Sequence, residues 1–131
     1  MDFKTQLDAL QGLDFKNLYQ DDFFLTWDKS EDELKAVLAV ADALRALREN
    51  NKSCRIFDSG LGISLFRDNS TRTRFSYASA CNFLGMEEQV FDEGKSQVAH
   101  GETVMETANM ISFMADVIGI RDDMYIGKGH T

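Results

Sequence analysis

Short strand-like runs, apolar at residues 61–66 and 117–120 and mixed at Gln89-Val90-Phe91, alternate with segments of helical pattern, and this alternation constrains the chain more than any other feature. Each run is too short for an ordinary helix; the first and third suit buried strands, and the second is a candidate strand between them. After the first run the chain turns at Arg67-Asp68-Asn69. Ser70 is a good amino-terminal cap, small side chains follow through to Leu84, and Gly85 stops the helix. After the second run, Thr103-Val104-Met105-Glu106 has the form of a capping box, and Val104, Ala108, Ile111 and Ala115 share one helical face that ends near Met114. Strand, helix, strand, helix, strand at these spacings predicts right-handed crossovers and an α/β fold, a parallel sheet covered by helices on both faces.

Ahead of this alternation, Phe3, Leu7 and Leu10 stand at helical spacing and Phe23, Phe24 and Trp27 form an aromatic cluster. Residues 1–29 therefore read as a short helix followed by a docking segment. Ser30-Glu31-Asp32-Glu33 is a second capping box, and Leu34, Val37, Leu38, Ala41 and Leu44 then recur on one face, which predicts a helix over 31–49 that ends at the polar run Asn50-Asn51-Lys52-Ser53. The expected division is 1–29 as a helical docking segment and 30–131 as one domain. With 131 residues, 44% of them hydrophobic, the chain can bury one sizeable core.

Composition removes several function classes. A formal net charge of -8 repels nucleic acid and anionic membrane surfaces at long range, so any anion must be held locally. No apolar run approaches the ~20 residues needed to cross a bilayer. Cys54 and Cys81 form no Cys-x-x-Cys pair and read as reduced thiols of a cytoplasmic protein, with neither a zinc site nor a disulfide framework. The neighbouring Asp122 and Asp123 point apart on an extended segment, and no metal is expected there. The nucleotide-binding loops built on Gly-x-x-x-x-Gly-Lys-Ser/Thr and Gly-x-Gly-x-x-Gly are both missing. Only His100 and His130 are histidines, which leaves little for chemistry that needs several of them.

In an open parallel sheet, ligands bind beyond the carboxyl ends of the strands, where helix amino termini present unpaired N–H groups. Two features fall on that edge. Ser70-Thr71-Arg72-Thr73-Arg74 offers hydroxyls, free backbone amides and two guanidiniums at a helix start, and Arg121 ends another strand. A phosphate dianion suits the first, since the helix amino terminus favours negative charge and each charge-assisted hydrogen bond adds roughly 1.5 to 3 kcal/mol. The plain alternative is a serine cap followed by solvated arginines. Two cations in a first turn oppose the helix dipole, however, unless an anion or an acidic neighbour compensates. For Arg121 the plain alternative is an ion pair with Asp122, Asp123 or another acid; His100 and Lys95, in the polar loop 92–101, read on their own as an exposed histidine and a solvated lysine.

The run Phe66-Arg67-Asp68-Asn69-Ser70-Thr71-Arg72-Thr73-Arg74-Phe75-Ser76 resembles the carbamoyl-phosphate signature of the aspartate and ornithine carbamoyltransferases. Ser96-Gln97-Val98-Ala99-His100-Gly101-Glu102-Thr103 resembles the mobile loop of ornithine-type members, and Ile118-Gly119-Ile120-Arg121 the strand that presents the carbonyl-binding arginine. The resemblance covers about residues 31–125 and is strongest to the knotted transcarbamylases whose amine acceptor is unsettled. It implies a parallel sheet of about four strands, with Ser70, Thr71, Arg72 and Thr73 on the phosphate and Thr73 and Arg121 on the carbonyl oxygen as the catalytic pair. It further implies a structural role for Arg74, paired with an acid. Gln97 and His100 would serve the site of a neighbouring subunit in a homotrimer.

No cofactor is implied. The implied reaction transfers the carbamoyl group to an amine of an amino acid or related acceptor. Members carry His-Pro-x-Gln and His-Cys-Leu-Pro runs that a proline-free chain lacks, so the amine-binding second domain is expected to lie outside this sequence. A non-catalytic module for phosphate binding or oligomerisation, derived from such an enzyme, is the competing reading. An inert single domain is the third.

Overall fold

A computed structural model describes residues 2–67, 70–92 and 103–122. The chain divides into two compact units, residues 1–54 and 55–131.

In the first unit, Asp2 caps helix α1 (Phe3–Asp8) by accepting from the Lys4 amide at 3.1 Å. Two short 3-10 turns, Lys16–Leu18 and Thr26–Asp28, lead to helix α2 (Glu31–Glu49), against which α1 packs. The expected capping box is present: Ser30 Oγ accepts from the Glu33 amide at 3.1 Å, and Glu33 Oε1 accepts from the Ser30 amide at 2.8 Å. Each satisfies one of the amides that a helix start leaves open.

The buried face of α2 differs from the expected one. Ala36, Ala39, Ala43 and Ala46 are buried, whereas Leu38 is 66% exposed and Val37 is also exposed. The helix is apolar on more than one side, so periodicity alone selects no unique face.

The second unit holds a parallel sheet of strands β1 (Leu61–Phe66), β2 (Glu87–Val90) and β3 (Val117–Arg121), in the order β2-β1-β3. Helix α3 (Thr71–Leu84) joins β1 to β2, and helix α4 (Val104–Met114) precedes β3. This is the expected α/β architecture, with three strands among the described residues where the resemblance implies about four. The first strand occupies the middle and pairs with both others. That places the carboxyl ends of β1 and β3 side by side, with Phe66 in register with Arg121.

β1 is the buried strand, with Ile63, Ser64 and Phe66 covered. β3, expected to be buried, is an outer strand among the described residues and leaves Ile120 66% exposed. β2 begins at Glu87 rather than at 89, because pairing with β1 starts at Leu61↔Glu87. Ile111 on α4 and Ala115 just past its end are half-buried as expected, whereas Ala108 is exposed and Thr107 is buried.

α3 ends where Gly85 takes φ +102°, with its amide on Asn82 O at 3.2 Å and the Met86 amide on Cys81 O at 2.8 Å. This Schellman pair turns the chain straight into β2. No described helix is long and apolar enough to cross a membrane.

Candidate functional site

The site lies where β1 and β3 end. Ser70 caps α3: its Oγ accepts from the Thr73 amide at 3.4 Å, and its carbonyl accepts from the Arg74 amide at 3.2 Å. The amides of Thr71 and Arg72, nearest the helix start, are of the kind that a helix leaves without an intrahelical acceptor. No acidic residue stands in the first turn of α3 itself.

From β3, Arg121 Nη1 donates to Ser70 Oγ at 3.0 Å and to Thr73 Oγ1 at 2.7 Å, and the two hydroxyls lie 2.8 Å apart. One hydroxyl hydrogen is used between the two oxygens. The guanidinium bonded to both oxygens polarises the pair. A cation from one strand end and hydroxyls from the helix after another thus meet at one point, although 48 residues separate Thr73 from Arg121.

Arg74 turns back and donates through Nη2 to the carbonyl of Phe66, tying α3 to the end of β1. This fits the structural role expected for it, with a main-chain oxygen as a partner. Arg72 and Thr71 are exposed in the first turn. The ion pair of Asp122 is with Arg67, Nη1 to Oδ2 at 3.0 Å, and the Arg67 amide donates to the Arg121 carbonyl at 3.1 Å. Sequence reasoning missed this latch between the ends of β1 and β3. From sequence, Asp122 reads as a partner for its neighbour Arg121 or as one of two adjacent acids with Asp123, and neither reading points to Arg67. Gln97, His100, Lys95 and Asp123 lie outside the described residues.

Behind the hydroxyls, Tyr77 OH donates to the Ile63 carbonyl at 2.9 Å, and its ring meets that of Phe66 edge-on at 5.5 Å between centroids. Burial, reinforced by the neighbouring Cys81, pushes the Tyr77 phenol above its ordinary range, and burial does the same to the Cys81 thiol. Both stay protonated at neutral pH. Their signal in the sequence was spacing: Tyr77 follows Thr73 by one helical turn, and Cys81 follows by another.

Residues 21–130 match the family model described as "Aspartate/ornithine carbamoyltransferase, carbamoyl-P binding domain". The chain belongs to this family. It corresponds to the carbamoyl-phosphate-binding domain of the carbamoyltransferases. YgeW of Escherichia coli (strain K12) is 69% identical over 115 residues, which are 88% of this chain and 29% of YgeW. The ornithine carbamoyltransferase of Parafrankia sp. (strain EAN1pec) is 40% identical over 100 residues, 76% of this chain and 32% of that enzyme.

Among solved structures, the ornithine carbamoyltransferase from Pyrococcus furiosus superposes with a TM-score of 0.69 at 27% identity, covering 76% of this chain and 32% of that one. The chain therefore spans about a third or less of the length of these carbamoyltransferase relatives.

Proposed function

We propose that the chain is the carbamoyl-phosphate-binding half of a carbamoyltransferase. In this reading Ser70, Thr71, Arg72 and Thr73 hold the phosphate, and Thr73 and Arg121 reach the carbonyl oxygen. The observation that carries it is the convergence of Arg121 on the hydroxyls of Ser70 and Thr73 at the amino terminus of α3. Residues 30–131 serve as the binding domain, preceded by the helical docking segment 1–29.

The chemistry follows from the donors. A neutral amine attacks the carbonyl carbon of carbamoyl phosphate, and negative charge develops on the carbonyl oxygen. Arg121 and the Thr73 hydroxyl stabilise that charge, which is where fixed donors accelerate acyl transfer most. The bond from carbon to the phosphate oxygen then breaks. Phosphate leaves into the amides of Thr71 and Arg72 and the Arg72 guanidinium, and takes the proton released by the amine. No covalent intermediate with the protein is required, so the protein's contribution is positioning and charge.

The acceptor is an amine of an amino acid or related compound, held by a second domain, in cytoplasmic amino acid metabolism. The active assembly is a homotrimer in which Gln97 and His100 serve a neighbouring subunit's site.

Calorimetric titration with carbamoyl phosphate tests the reading. Wild type is expected to bind with a measurable heat, and Arg72→Ala to bind roughly ten- to a hundredfold more weakly, the value of one charge-assisted hydrogen bond. Absence of any heat in wild type would overturn the half-site. Binding retained in full by Arg72→Ala would remove that residue from it.

A further inference from the structure

Tyr77 and Gly119 lie directly behind the site on its two elements. Tyr77 stands one turn after Thr73 on α3, and Gly119 stands two residues before Arg121 on β3, so each shares a face with the site residue beside it. A Cβ built on Gly119 would lie 2.5 Å from Cε2 of the Tyr77 ring and 3.1 Å from its Cζ. One turn further along α3 the pattern repeats, with a Cβ on Gly62 of β1 falling 2.6 Å from Cys81 Sγ. Both approaches are closer than a side chain permits, so α3 rests on the bare backbone of β1 and β3.

The phenol is fixed within that contact. Its hydroxyl donates to the Ile63 carbonyl of the central strand, and its ring stands edge-on to Phe66. The tyrosine touches both strands that end at the site, and it does so at the level just below Arg121.

We propose that Tyr77 is a positioning residue, whose ring, seated on Gly119 and anchored to Ile63, sets the height of α3 over β3 at which Arg121 reaches the hydroxyls of Ser70 and Thr73. This rests on reading the site as one for carbamoyl phosphate. Tyr77 acts through Arg121 and not on the ligand. If the ring is removed, α3 settles toward β3 and Arg121 loses its register with the hydroxyls. The donors that α3 itself carries, at Thr71 and Arg72, move together and stay a phosphate site. Carbamoyl phosphate, whose carbonyl depends on Arg121, therefore suffers more than inorganic phosphate.

Calorimetry on the full chain, with carbamoyl phosphate and with inorganic phosphate as separate probes, tests this in wild type, Tyr77→Leu, Tyr77→Phe and Gly119→Ala. Tyr77→Leu is expected to weaken carbamoyl phosphate about tenfold more than phosphate, the worth of one charge-assisted hydrogen bond. Tyr77→Phe keeps the ring on Gly119 and loses the hydroxyl's bond to Ile63, so its ratio of the two affinities should move in the same direction as in Tyr77→Leu but by less, about threefold or under. Gly119→Ala pushes on the same contact from the strand side, keeps Tyr77, and should shift the ratio in the same direction, which decides the matter if Tyr77→Leu does not fold. A general structural role would lower both affinities by one factor, and that result overturns the proposal. A wild type that binds neither probe defeats the site reading and this inference together. One that binds both, with a ratio unmoved in Tyr77→Leu and Gly119→Ala, defeats the positioning role alone.

Discussion

Arg121 and Thr73 share a hydrogen bond of 2.7 Å, and their contributions to ligand affinity should therefore be coupled. Arg121→Ala and Thr73→Ala are each expected to weaken carbamoyl phosphate by roughly 1.5 to 3 kcal/mol, and the double variant to cost about 0.5 kcal/mol or more less than their sum. A double-mutant cycle by calorimetry measures this, and strict additivity would contradict the shared site. At this scale the sequence was legible wherever a residue's role followed from local position. Ser70 could be placed because a serine before a helix start caps it, and Arg121 because it ends an apolar run. The latch of Arg67 on Asp122 was not legible. It joins residues 55 apart in sequence and exists only once β1 and β3 pair in register.

Helix ends were the most readable elements, since their chemistry is written in adjacent residues. The capping boxes at Ser30 and Thr103 and the stop at Gly85 all appear where the sequence places them. Gly85 makes the strongest demand, because its φ of +102° suits glycine and a Cβ there would run into the Phe57 carbonyl. Gly85→Ala is expected to lower stability by about 1 to 3 kcal/mol in urea unfolding, the cost of a side chain forced into this region. Unchanged stability would mean that the turn from α3 to β2 is built differently. Faces were harder to read than ends. α2 offers apolar residues on several sides, and only the fold selects the alanine row at 36, 39, 43 and 46. The short strand β3 reads as buried from its Val117-Ile118-Gly119-Ile120 run, yet its outer place among the described strands could not be inferred without strand order.

Across the whole molecule, the net charge of -8 opposes the approach of a phosphate. Binding must therefore come from a few donors set at one place, and this makes the site unusually dependent on individual residues. The arrangement of the sheet supplies that place: with β1 in the middle, the helix after β1 and the end of β3 converge although they are distant in the chain. The α/β class was legible because strand and helix patterns alternate. The non-sequential strand order that creates the convergence was not, since periodicity carries no information about which strands are neighbours.

The central claim is that the start of α3, with Arg72, forms a carbamoyl phosphate site that is already assembled in this chain. The most direct measurement is thermal unfolding of wild type and Arg72→Ala with and without carbamoyl phosphate. Ligand at 100 times its dissociation constant should stabilise wild type by about 2.7 kcal/mol. The same concentration should stabilise Arg72→Ala far less. Stabilisation of wild type that is lost in the variant is the predicted result, and equal unfolding of both proteins with and without ligand would contradict it.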